Sequence, residues 1–136
     1  MTTLLNFFHK GKKIMKVAFT TSGDNLNAPM DGRFGRAQKF LIYDLDSKTF
    51  EVIDNQQNLN AVQGAGIQSA ETVAKTGARA VVTGHCGPKA FRALTAACIK
   101  IFNVGSNAGT VAQALEKYRS GQIAEARTAD VEGHWS

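Results

Sequence analysis

Residues 78–104, ARAVVTGHCGPKAFRALTAACIKIFNV, decide the fold. Two short apolar runs, ARAVVTG and IKIFNV, enclose a segment that starts at Pro88 and reads as a helix over 88–97. Proline fits the first helical position because its missing N–H is unpaired there anyway. A strand, a helix and a second strand in close succession form a crossover unit, which pairs its two strands in parallel.

The same alternation extends in both directions. Downstream, the turn GSNAG (105–109) leads into a helix over 110–118 that Gly121 stops. Upstream, Ile67, Ala70, Val73 and Ala74 form an apolar stripe at helical spacing over 67–76, closed by Gly77. A polar linker, NQQNLNAVQGAG (55–66), precedes that helix. Before it, KFLIYD (39–44) and TFEVID (49–54) flank the turn residues LDSK, an antiparallel hairpin. KVAFTT (16–21) is a short apolar strand followed by a long loop containing Pro29 and Gly32. The element order is β-β-β-α-β-α-β-α, an α/β mixed sheet of five strands with helices on its faces.

One domain and one buried core are expected for 136 residues with 43% hydrophobic and 20% charged content. No apolar run approaches the length of a membrane span, and the first residues lack a signal-peptide pattern, so a cytoplasmic location is expected. The net charge of +5 is concentrated: Lys10, Lys12 and Lys13 precede Met15, leaving +2 from there onward. That balance does not point to nucleic acid. Residues 1–14 read as an N-terminal extension, disordered or upstream of the true start at Met15. A basic amphipathic helix with Leu4, Leu5, Phe7 and Phe8 on one side is the other reading. A single domain is expected over 15–136, with a surface tail from about 122, folded back or free.

Ligands in open α/β sheets gather beyond the carboxyl ends of the parallel strands. Three loops reach that edge here, 21–36, 84–87 and 105–109, and Gly64-Ala65-Gly66 opens a further helix nearby. Glycine there lets backbone N–H groups approach an anion that the helix dipole favours. Arg33, Arg36, Lys89 and Arg92 are the nearest basic residues. Two readings fit Cys86: a thiol activated by the helix start at Pro88, or a packed turn cysteine. His85 is positioned to hold a ligand or simply to face solvent. Cys98, just before a strand, reads as a small buried hydrophobe, and His9 and His134 are discounted as ligands.

Several chemistries are disfavoured. The leading hairpin invites comparison with ribonuclease H-type folds, but KVAFTT, RAVVTG and IKIFNV contain no carboxylate for two-metal catalysis. His85 and Cys86 are adjacent, which points their side chains apart, and no orienting third group follows. There is no P-loop lysine motif and no GxGxxG after a strand.

MKVAFTTSGDNLNAPMDGRFGRAQKFLIYD, NAVQGAGIQSAETVAKTGARAVVTGHCGPKAF and NVGSNAGTVAQALEKYRSGQ together resemble the dinitrogenase iron-molybdenum cofactor biosynthesis family. The resemblance covers about residues 15–134 and leans toward its orange-protein-like members. It implies a ribonuclease H-like three-layer fold without nuclease activity. It also implies non-covalent carriage of an anionic metal–sulfur cluster, molybdenum–copper–sulfide or a related iron–molybdenum–sulfur cluster, by a protein that is not an enzyme. The expected cluster-binding set is Ser22, Arg33, Arg36, Gly64, Gly66, Gly84, His85, Cys86, Gly87, Ser106, Asn107 and Gly109, with Cys86 and His85 as metal ligands. Arg33 stands where many family members have histidine before FGRA, replacing a metal ligand with a charged donor. The expected partners are the cluster and cofactor-assembly or division-related proteins, with no nucleic acid and no membrane span. The alternatives are a phosphate- or nucleotide-binding enzyme or sensor using the same strand ends, and a protein-interaction adaptor.

Overall fold

KVAFTT forms β1 (Lys16–Thr21), buried from Val17 to Thr21 because it has strands on both sides and helices on both faces. The computed structural model describes residues 14–55, 64–107 and 109–129. β2 (Lys39–Asp44) and β3 (Thr49–Asp54) form the expected antiparallel hairpin, with Lys39 opposite Asp54 and Asp44 opposite Thr49. Asp44 shapes its turn: one carboxylate oxygen accepts the N–H groups of Asp46 and Ser47 at 2.9 and 3.1 Å. These bonds, Ser47's foremost, hold the Asp44 carboxyl below its ordinary pKa.

β4 (Ala80–Thr83) and β5 (Lys100–Asn103) continue the sheet in parallel, giving the order β3-β2-β1-β4-β5. Strand alternation sends Ala18, Phe40, Ile42, Val81 and Ile101 to one face. There they meet Ala70 and Val73 of α1 (Ala65–Lys75) and Ala90 and Leu94 of α2 (Pro88–Ala96). Val17, Phe19, Leu41, Tyr43 and Val82 face the other way, against Val111, Ala114 and Leu115 of α3 (Val111–Arg119). The result is the expected ribonuclease H-like three-layer α/β fold.

Element bounds differ from the sequence reading by one or two residues at several ends. β5 is not a bare edge: Phe102 bridges Glu125, and the Ala126 N–H donates to Ile101 O at 2.7 Å. The readings made for residues 1–13, for the polar linker over 56–63 and for the tail from 130 onward lie outside the described residues.

Cys98 is a correction. It is exposed, not buried, and its φ is 64°. It sits just beyond α2, where the Cys98 N–H donates to Thr95 O and the Ile99 N–H to Leu94 O, both at 2.9 Å. That bonding pattern closes a helix with one left-handed residue, usually glycine, and it turns that residue's side chain away from the core. α3 ends the same way with Gly121, φ 77°. A side chain in this conformation costs roughly 1–2 kcal/mol, partly offset by the lower chain entropy of a non-glycine residue. Cys98→Gly should therefore stabilise the protein by about 0.5–1 kcal/mol, read as a higher urea midpoint at unchanged slope.

Candidate anion-binding site

The loop after β1 turns back over the strand ends. The Asp31 N–H donates to Thr20 O at 2.8 Å and the Phe34 N–H to His85 O at 3.1 Å, so Arg33 bridges His85 in parallel register. Beneath it, the Thr20 hydroxyl lies 2.9 Å from both Asp31 O and Thr83 Oγ1. Asp24 and Lys39 pair at 2.5 Å at the base of the loop, and this bond raises the Lys39 pKa.

Two glycines allow this approach. A Cβ on Gly84 would fall 2.5 Å from Gly32 O, and one on Gly35 would fall 3.0 Å from Gly66 Cα. Gly66 in turn packs against Ala90, joining the first turns of α1 and α2. Gly66 and Gly84 are thus approached by protein backbone or side chain where the sequence reading left room for a ligand. Gly109 is likewise filled, by the side chain of Gln113.

The three helix N-termini are not equivalent. At α3, Thr110 and Gln113 form a reciprocal capping box, with bonds of 2.9 and 3.1 Å. The next donors are also taken: Val111 N–H by Ala28 O at 2.9 Å and Ala112 N–H by Leu26 O at 2.8 Å. The first amides of α3 are therefore all taken within the protein. α1 and α2 differ. Their caps, Gly64 and Gly87, provide no side-chain acceptor, and neither first turn contains an acid. Gly64 has φ 98° and open space where a side chain would stand. Two first turns that, among the described residues, have no side-chain cap therefore lie side by side, each with a positive dipole end.

Arg33 and Arg36 are exposed on the loop beside these turns, and Lys89 is exposed in the first turn of α2. His85 Nε2 lies 3.2 Å from Ser106 Oγ, linking the loops after β4 and β5. Ser22, Asn107 and Gly109 are exposed, and the Gly109 carbonyl accepts the Met30 N–H on the α3 side. Cys86 is fully buried among Phe34, Ala37, Ala90 and Leu94, with Sγ 3.8 Å from Gly87 O. Its thiol lies inside the core beneath the strand ends, as in the packed-turn reading. His85 and Cys86 do point apart, as adjacent residues on extended chain do. Among the described residues no three His, Cys, Asp or Glu side chains cluster to hold a metal ion.

Sequence reasoning missed the polar floor of this region. Thr20 and Thr83 are fully buried, and Asn103 at the end of β5 has a buried Oδ1 with no hydrogen-bond partner among the described residues. The available signal was polar residues ending otherwise apolar strands: KVAFTT, AVVT and KIFN.

Residues 13–121 match the model of the dinitrogenase iron-molybdenum cofactor family. The chain belongs to this family. A search of curated proteins returned no match. Among solved structures, the apo form of the orange protein from Desulfovibrio gigas is 37% identical, with a TM-score of 0.82 over 88% of this chain and 98% of that one. A NifB-like protein from Thermotoga is 28% identical, with a TM-score of 0.74 over 88% of this chain and 100% of that one. A Methanocaldococcus jannaschii protein, 17% identical with a TM-score of 0.65 over 85% of this chain and 98% of that one, shares the fold alone. In this family member the described helices are too short to cross a membrane.

The glycine contacts give a paired test. Gly84→Ala forces the 29–36 loop off β4 and should cost about 1–3 kcal/mol, as overpacking does. A Cβ on Gly32 meets nothing within 4 Å, so Gly32→Ala should stay within about 0.5 kcal/mol of the parent in urea unfolding.

Proposed function

We propose that this protein carries an anionic metal–sulfur cluster, molybdenum–copper–sulfide or a related iron–molybdenum–sulfur type, as a non-catalytic carrier or assembly protein. The observation that carries this reading is the pair of adjacent first turns at α1 and α2, neither with a side-chain cap. Backbone N–H groups and a positive dipole end suit a preformed anion. Arg33 and Arg36 add charged donors, and His85 with Ser106 extends the polar rim. Bare cations need several converging ligands, which the described residues do not assemble. Family membership and the 37% identity to the apo orange protein support the same reading.

Sulfido groups at the cluster surface would accept hydrogen bonds from these N–H groups, while the cluster itself supplies the metal chemistry. The buried Cys86 shapes the turn beneath and is not a ligand in this account. A phosphate would satisfy the same donors, so the alternative of a phosphate or nucleotide ligand uses this same place. A thermal-shift panel separates the two, because any bound ligand raises the melting point by mass action.

The direct test is anaerobic reconstitution with copper(I) and tetrathiomolybdate, followed by gel filtration. Visible charge-transfer bands and molybdenum should co-elute with the protein. Arg33→Ala and Arg36→Ala should each weaken retention by roughly tenfold, the loss of one charge-assisted hydrogen bond. Cys86→Ala should retain the cluster at near-parent levels. Wild-type protein that keeps no metal would contradict the proposal.

A further inference from the structure

A second surface lies at the edge of the sheet away from the hairpin. The chain that returns along β5 at Glu125 and Ala126 adds one more line of backbone there. A groove of about 800 Å³ opens between that line, β5 and the C-terminal half of α2. A smaller cavity of about 320 Å³ shares Phe91, Thr95, Glu125 and Ala126 with it and carries the groove on to Arg127. The two form one elongated trough.

Its floor is apolar. Ile99 and Ile101 are buried, Phe91 and Ala126 are half-buried, and the short, exposed side chains of Thr95 and Ala96 leave it open. A long open groove of this kind suits a peptide segment anchored by a few apolar side chains, more than a small molecule that must be enclosed.

The charges around the floor are unbalanced. Arg79, Lys100 and Arg127 line the trough and are exposed, and Glu125 is the one acid among the lining residues. Lys100 Nζ and Glu125 Oε1 lie 4.0 Å apart with both side chains about half exposed, a contact worth little in water. Among the described residues Arg79 and Arg127 have no ion-pair partner. α2 adds to the same sign: PKAFRALTA contains no acid, and Lys89 and Arg92 are exposed on it.

We propose that this trough docks an acidic segment of another protein, its apolar side chains on Phe91, Ile101 and Ala126 and its carboxylates toward Arg79, Lys100 and Arg127. The apolar floor supplies affinity, while opposite charge selects the partner and speeds encounter. Arg79 and Lys100 stand at the amino ends of β4 and β5, whereas the first turns of α1 and α2 face the carboxyl ends. Docking here therefore needs no cluster at the other site.

Two fluorescein-labelled peptides of about fourteen residues test it, both with leucine or phenylalanine at i, i+3, i+4 and i+7, one with glutamate and one with lysine elsewhere. At low salt, fluorescence anisotropy should show the glutamate peptide binding roughly tenfold more tightly than the lysine peptide, the combined effect of two or three surface ion pairs. Amide shifts should move at Thr95, Ala96, Lys100 and Ala126 and stay in place at Ala65 and Gly66. Arg79→Glu together with Arg127→Glu, both at exposed positions, should reverse the preference at an unchanged urea midpoint. Equal binding of the two peptides, binding of neither, or shifts centred on the first turns of α1 and α2 would each overturn the proposal. So would binding seen only after residues 1–13 or 130–136 are deleted, which would give the trough to the chain's own ends. Self-association that Arg79→Glu abolishes would give it to a second copy and overturn the proposal as well.

Discussion

Gly84 has no room for a side chain, because the backbone of Gly32 occupies the space. This contact brings the long loop after β1 down onto the end of β4, where Phe34 donates to His85 O. Phe34 then fills the core beneath α1 and α2, 5.5 Å between ring centroids from Phe40, and Cys86 is enclosed with it. The placement of Arg33 and Arg36 beside the helix starts, and the burial of the thiol, both follow from one backbone-on-backbone approach.

The second consequence is asymmetry. The first half of the same loop is spent on α3: Leu26 and Ala28 accept its first amides, and Met30 donates to Gly109. With Thr110 and Gln113 added, that helix end is satisfied within the protein. The second half, around Gly35, meets α1 and α2, whose glycine caps leave their first amides without side-chain acceptors. A helix terminus lacking acceptors is stabilised by whatever anion it can reach. One loop therefore closes one N-terminus and packs against the first turn of another, which in turn packs on the first turn of α2.

Much of the fold was legible because periodicity and punctuation agree: short apolar runs, helical stripes and Gly or Pro boundaries mark each element where it forms. The site was legible in outline only. Sequence places Gly64, Gly66, Gly84 and Gly109 near strand ends or helix starts, but it cannot distinguish a glycine that a ligand approaches from one that another part of the chain fills. Cys86 and Cys98 show the same limit in opposite directions. Cys86 reads from sequence either as a thiol activated at a helix start or as a packed turn cysteine, and a loop about fifty residues earlier in the chain packs it. Cys98 reads as a small buried hydrophobe just before a strand and instead ends α2, exposed, in the left-handed conformation. Both outcomes depend on tertiary contact or on a one-residue shift of a helix end, neither of which local pattern encodes.

The central claim is that an anionic cluster is held by the first turns of α1 and α2 and not by α3 or a cysteine. Amide ¹H–¹⁵N shifts recorded while copper(I) and tetrathiomolybdate are titrated into the protein test it most directly. The account predicts the largest changes at Ala65, Gly66, Ile67, Lys89 and Ala90, with Val111, Ala112 and Gln113 nearly unmoved. Changes centred on the α3 amides, or a cluster bound without perturbing α1 and α2, would contradict it.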